Sequence, residues 1–139
     1  MKISTKSRYG LRIMRYLAQN HNSEPVKLGD MAKNENLSEK YLEQIIISLK
    51  AANLVKSVRG ANGGYFLSKK PDQQSVLEII EKLEGPLHFV NCVEDHTLCE
   101  RSKDCVTRKL WDKMGSQMRE TLAQINLSNL DSIFLSEHP

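Results

Sequence analysis

Residues 54–67 read Leu-Val-Lys-Ser-Val-Arg-Gly-Ala-Asn-Gly-Gly-Tyr-Phe-Leu, two short β-prone runs around a loop that holds three glycines. Glycine reaches positive φ and tolerates close backbone approach, so this stretch predicts strands over Leu54–Val58 and Tyr65–Leu67 joined by a tight turn from Arg59 to Gly64. On both sides of it the apolar spacing is helical. A single hairpin set into helices leaves few architectures open.

From about Thr5 to Asn20, Tyr9, Ile13, Tyr16 and Leu17 recur at helical spacing with Lys6, Arg8, Arg12 and Arg15 between them, and His21-Asn22-Ser23 ends the run,. A second, short helix over about Lys27–Asn34 puts Leu28, Met31 and Ala32 on one side, and Asn34-Glu35-Asn36 makes a turn,. Ser38 suits an N-cap, with Glu39 in the first turn where the helix dipole favours an anion. The third helix, to about Ala52, turns Leu42, Ile45, Ile46 and Leu49 inward and leaves Glu39, Lys40, Glu43, Gln44 and Lys50 outside. Short helix, tight turn and longer helix describe a helix-turn-helix, whose second member enters the major groove. An ordinary helical hairpin has the same pattern, and the glycine hairpin behind it favours the winged helix. Arg59, at the tip of that wing, is suited to reach phosphate or a narrow minor groove; the plain alternative is an exposed turn arginine.

Charge follows the same division. Residues 1–70 hold 13 Lys and Arg against 5 Asp and Glu, whereas residues 71–139 hold 7 against 12, so a balance of +8 meets one of −5. A basic first half suits a polyanion, although a basic face is also what solvent tolerates. The chain has no run of eighteen apolar residues, and charges interrupt the apolar positions near its start, so the expectation is a cytoplasmic protein without membrane contact.

Beyond Lys69-Lys70-Pro71-Asp72, Ser75-Val-Leu-Glu78 has the form of a capping box opening a helix to about Glu84, which Gly85-Pro86 closes,. A longer pattern from about Asp104 to Asn126 repeats Val106, Leu110, Trp111, Met114, Met118, Leu122 and Ile125 every three or four residues. Such a stripe needs a partner surface. Pairing with a second copy would give a two-fold dimer matched to a palindromic operator, and packing back on its own domain is the alternative. Leu130, Ile133 and Phe134 predict a short last helix over Asn129–Leu135. The fold expected is mainly α with a small β-hairpin wing: a winged helix-turn-helix over 1–84, a cysteine loop over 85–105, and a dimerisation helix with its tail over 104–139.

All three cysteines, Cys92, Cys99 and Cys105, fall in the polar segment Asn-Cys-Val-Glu-Asp-His-Thr-Leu-Cys-Glu-Arg-Ser-Lys-Asp-Cys. Cysteine is ordinarily sparse and buried, and three cannot all pair within one chain, so the cluster points to ligand or redox chemistry. Its C-x6-C-x5-C spacing lacks the short C-x2-C knuckle of structural zinc; clustered thiolates on a loop suit an iron-sulfur cluster, which ordinarily takes four ligands. His96, between the first two cysteines, is the candidate fourth ligand. His88 lies just before the segment, His21 and His138 lie far from it in sequence, and Glu94, Asp95, Glu100 and Asp104 offer oxygen.

These residues together resemble the IscR-type winged-helix transcriptional regulators, a family that includes IscR, NsrR and CymR. The resemblance spans about residues 1–125 and rests on Met1-Lys-Ile-Ser-Thr-Lys-Ser-Arg-Tyr-Gly-Leu-Arg12, on Leu37-Ser-Glu-Lys-Tyr-Leu-Glu-Gln44 and on Leu54-Val-Lys-Ser-Val-Arg-Gly-Ala-Asn-Gly-Gly-Tyr65. The first half looks closest to CymR, and the three cysteines look like those of IscR and NsrR. The resemblance implies DNA contacts at Ser38, Lys40, Tyr41, Glu43 and Gln44 on the third helix and at Arg59 in the wing. Gln44 and Glu43 would address base edges, and Ser38, Lys40 and Tyr41 would hold phosphates. It also implies a cluster on Cys92, Cys99 and Cys105, with [2Fe-2S] preferred over [4Fe-4S]. Two departures stand out: Arg108 occupies the position three residues after the last cysteine where IscR-like members carry a histidine, and Arg8 stands where an NsrR-like member would carry an aspartate. The first cysteine spacing is also one residue longer than in IscR. A guanidinium stays protonated and makes a poor ligand.

The function expected is a homodimeric regulator, of repressor type, that binds double-stranded DNA at a palindromic operator and senses iron-sulfur status through the cysteines. The alternatives are a cysteine-metabolism repressor, one form of which would act through a protein partner of cysteine metabolism, and a thiol switch without a cluster. No activated nucleophile or paired acid and base stands out, which argues against an enzyme.

Overall fold

The computed structural model describes residues 1–136. Helix α1 (Thr5–Gln19) begins where Ser4 Oγ accepts the Ser7 N–H at 3.1 Å, while the Ser4 N–H donates to Glu84 Oε1 at 2.9 Å. Helix α2 (Leu28–Glu35) stops at Asn36, whose φ of 54° is a left-handed conformation that asparagine tolerates,. Ser38 then opens α3 (Glu39–Ala51), its Oγ accepting the Tyr41 N–H at 3.2 Å. These three helices follow the sequence expectation closely: serine caps open α1 and α3, and the left-handed Asn36 ends α2,.

Asn53, at φ 56°, turns the chain into β1 (Val55–Val58), which runs antiparallel to β2 (Gly64–Leu67) with Val55 opposite Leu67 and Val58 opposite Gly64. Val55 and Leu67 are buried at the base of the hairpin, and its tip is exposed. A long-range tie adds to it: Val26 and Tyr65 exchange two backbone hydrogen bonds of 2.8 Å, joining β2 to the segment before α2. A Cβ on Gly64 would lie 2.5 Å from the Val26 carbonyl oxygen, so this approach requires glycine,.

A 3-10 turn at Pro71–Gln73 leads to α4 (Val76–Glu84), where Ser75 Oγ accepts the Glu78 N–H at 3.1 Å. The Glu78 carboxylate turns instead to Lys69 Nζ at 2.7 Å and Lys82 Nζ at 3.1 Å, so the cap forms while the return half of the box is replaced by ion pairs. The stretch expected as plain loop contains α5 (Asn91–Glu94) and a 3-10 turn, His96–Leu98, whose opening Asp95 accepts from the Thr97 N–H and hydroxyl at 2.9 and 2.6 Å. Helix α6 (Val106–Gln124) is shorter than its apolar pattern suggests. Ile125 is extended, its carbonyl accepting the Val76 N–H at 2.8 Å, and the Leu127 N–H donates to Gln74 O at 3.1 Å, so pairing with the residues before α4 ends the helix. Helix α7 (Leu130–Leu135) follows.

The main core gathers Ile13, Met14 and Leu17 of α1, Met31 of α2, Leu42, Ile45, Ile46 and Leu49 of α3, the hairpin base, and Ile79 and Leu83 of α4. A second cluster of Val76, Ile80, Leu87 and Ile125 receives Met118 and Leu122 of α6, and Leu11 packs against both clusters. The stripe on α6 therefore divides. Its later members pack on their own chain, whereas Val106, Leu110 and Met114 remain 77%, 48% and 41% exposed.

Candidate nucleic-acid interface and cysteine loop

Because Leu42, Ile45, Ile46 and Leu49 all face the core, helical geometry presents Lys40, Tyr41, Glu43 and Gln44 to solvent, with Ser38 exposed at the cap,. The hairpin base is pinned beside this helix: the Leu54 N–H donates to Leu49 O at 2.9 Å and Ser68 Oγ to Asn53 O at 2.7 Å. Arg59 is exposed at the far end. Helix and wing thus offer five polar side chains and an arginine on rigid supports, as groove recognition requires.

A support invisible in the sequence lies behind Tyr41. The Tyr9 ring of α1 meets it edge-on, with centroids 5.9 Å apart and planes at 88°, and the Arg12 guanidinium lies 5.2 Å over the other ring, that of Tyr9 itself. Arg12 Nε pairs with Glu35 Oε2 at 2.6 Å, and Asn34 Nδ2 donates to Glu35 Oε1 at 3.0 Å. Tyr9 looks in sequence like an apolar helix position and Glu35 like a turn residue. Only the packing of α1 and α2 on α3 gives them this role, and the burial of Glu35 in an Asn-Glu-Asn turn has no sequence signal.

In the cysteine loop, Cys92 lies on α5 and is half-buried, Cys99 is exposed after the 3-10 turn, and Cys105 caps α6. Cys105 Sγ accepts the Arg108 N–H at 3.4 Å and lies 3.2 Å from Thr107 Oγ1. The Thr107 hydroxyl, then the Arg108 N–H, hold this thiol below its ordinary value and so favour the thiolate,. Arg108 also organises the segment: its Nε donates to Ser102 O at 2.9 Å, and buried Ser102 donates through Oγ to His96 O at 2.9 Å. His88 is engaged with Asn91 Oδ1 at 3.1 Å and Glu94 Oε2 at 3.4 Å. Among the described residues no three His, Cys, Asp or Glu side chains converge as metal ligands. The donors therefore match an iron-sulfur cluster in kind, without a preformed ligand set among the described residues, and His96 is exposed. His138 lies outside the described residues.

Three core helices, a recognition helix with a polar outer face and a two-stranded wing define a winged-helix DNA-binding regulator. The family model described as "Iron-dependent Transcriptional regulator" matches residues 3–131, and the chain belongs to this Rrf2 family. It is 44% identical over 132 residues to the HTH-type transcriptional regulator CymR of Bacillus subtilis, covering 95% of this chain and 91% of that protein. The solved structure of CymR, "the Global Cysteine Regulator of B. subtilis", superposes with a TM-score of 0.80 at 44% identity over 96% of this chain and 98% of that one. T. potens IscR gives 0.77 at 38% identity, over 100% and 92%. The oxidized form of Staphylococcus aureus CymR gives 0.73 at 37%, over 94% and 95%. These relatives are transcriptional regulators and not enzymes, and no described helix is long and apolar enough to cross a membrane.

Proposed function

We infer that this chain is a homodimeric repressor that reads a palindromic operator with Ser38, Lys40, Tyr41, Glu43, Gln44 and Arg59, and that the cysteine loop sets its affinity for DNA. In this reading residues 1–84 bind DNA, 85–105 sense, and 104–139 pair the protomers. The observation that carries it is the placement of an ionisable thiol, Cys105, at the start of the helix whose first turns leave Val106, Leu110 and Met114 uncovered. A second copy is the economical cover for that stripe.

Iron-sulfur ligation by Cys92, Cys99 and Cys105 is the chemistry assigned to the loop, with [2Fe-2S] preferred. The thiol trio and the family's iron-dependent description support it. A cluster, when bound, supplies redox and lability chemistry at this loop. The chain's own contribution is the thiolate-favouring setting of Cys105 and the Arg108–Ser102–His96 ties that order the segment. A thiol switch is the second reading, favoured by that same Cys105 setting and by the similarity to CymR, which has also been solved oxidized. Anaerobic purification followed by iron, sulfide and zinc analysis and a visible spectrum separates them. Stoichiometric iron and sulfide, lost on replacing all three cysteines by alanine, is the expected result; colourless protein whose operator binding responds to oxidant establishes the thiol switch instead.

A further inference from the structure

We propose that Lys6, near the start of α1, is a backbone-phosphate contact of the DNA interface, holding the phosphodiester next to the base step that Gln44 addresses. The inference rests on reading α3 as the recognition helix. Lys6, Tyr41, Gln44, Ile45 and Ser48 line one hollow of about 240 Å³ beside the exposed face of α3. Lys6 is exposed and forms no ion pair among the described residues. Glu84, the carboxylate that feels its charge, accepts the Ser4 N–H at 2.9 Å and forms no ion pair with Lys6 among the described residues.

The position of Lys6 is built rather than incidental. Tyr9 lies one turn further along the same face of α1, and its edge-on contact with Tyr41 at 5.9 Å fixes the first turns of α1 against α3,. The Arg12–Glu35 pair in turn holds Tyr9 in place. A helix lying in the major groove has phosphates along both flanks, and an ammonium on a flexible stem beside its base-reading face meets one of them as a point charge. Lys6 would strengthen binding to every sequence and carry no base preference.

The test measures anisotropy of a labelled random-sequence duplex, and of a duplex the wild-type protein selects from a random pool, across a salt series. Lys6→Gln is expected to weaken binding to both duplexes and to flatten the slope of log affinity against log salt by about 0.9. The wild-type advantage then shrinks about 3.5-fold between about 50 and 200 mM salt. Lys6→Arg should restore both quantities. Lys82→Gln removes the same charge from α4, where Lys82 pairs with Glu78, and should leave the slope unchanged. An unchanged slope in Lys6→Gln, or an equal loss in Lys82→Gln, overturns the contact. If Gln44→Ala and Arg59→Ala weaken binding while Lys6→Gln does not, only this inference falls. If none of the three alters binding to either duplex, the reading of α3 falls and takes the inference with it.

Discussion

At Gly64 the wing meets the rest of the chain through backbone alone. A methyl group there would lie 2.5 Å from the Val26 carbonyl oxygen and 2.7 Å from its carbon. Gly64→Ala should therefore break the Val26–Tyr65 tie and cost about 2–3 kcal/mol in urea unfolding, with operator affinity falling because the wing loses its anchor. The same change at Gly60, where an added Cβ meets nothing within 4 Å, should disturb the fold less, the strain of its φ of 111° remaining. In the core, Leu42→Ala removes a side chain with no exposed surface and should cost about 2–5 kcal/mol,. The glycines were legible as a hairpin because turn chemistry is local. That Gly64 answers to Val26 was not, since the partner lies far back in the chain. Gln44 and Glu43 could be assigned to the outer face from the inward spacing of Leu42, Ile45 and Ile46 alone, whereas the brace behind Tyr41 came from three helices at once.

Among the elements, α7 is tied back to α1 by Asp131, which accepts from Arg15 Nε and from Gln19 Nε2, the latter at 2.8 Å. The Arg15 hydrogen bond holds the Asp131 carboxyl below its ordinary value, against the opposing effect of its partial burial. A carboxyl with a lowered native value stabilises the fold above its unfolded value of about 3.9, and that contribution is lost as pH falls through the native value. Asp131→Asn should accordingly destabilise the protein by at most about 1 kcal/mol at neutral pH, because both side chains of the pair are over a third exposed,. Urea unfolding at about pH 3 should show that difference closing. Helix α6 carries a different test. Leu110→Glu puts charge into the uncovered stripe, so light scattering should report a shift from dimer to monomer with little change in the melting of the single chain. The apolar repeat of α6 was plain in the sequence; where it would divide was not, because Ile125 leaves the helix to pair with residues before α4.

Taken whole, the molecule sets a basic half with a balance of +8 against one of −5. Operator binding should fall steeply with salt, and replacing Arg59 by alanine should weaken specific and non-specific binding together while lowering the salt slope by about 1. Gln44→Ala should instead narrow the gap between the two. The architecture was legible because Ser38 and Ser75 mark the starts of α3 and α4 and the wing carried its glycines. The cysteine site was legible only as a composition, since α5, the 3-10 turn and the Arg108–Ser102–His96 ties that place the three thiols depend on folded contacts. The packing of α6 has a mechanical consequence. Helix α6, 19 residues or about 28 Å long, is held along its later half by Met118, Leu122 and the Arg119 hydrogen bond to Leu87 O, and its first turn begins at Cys105,. On the proposed reading, a tilt of about 5° about that packed half carries the cysteine end through about 2 Å, so a small rotation set by the loop's chemistry is magnified at the exposed stripe of α6.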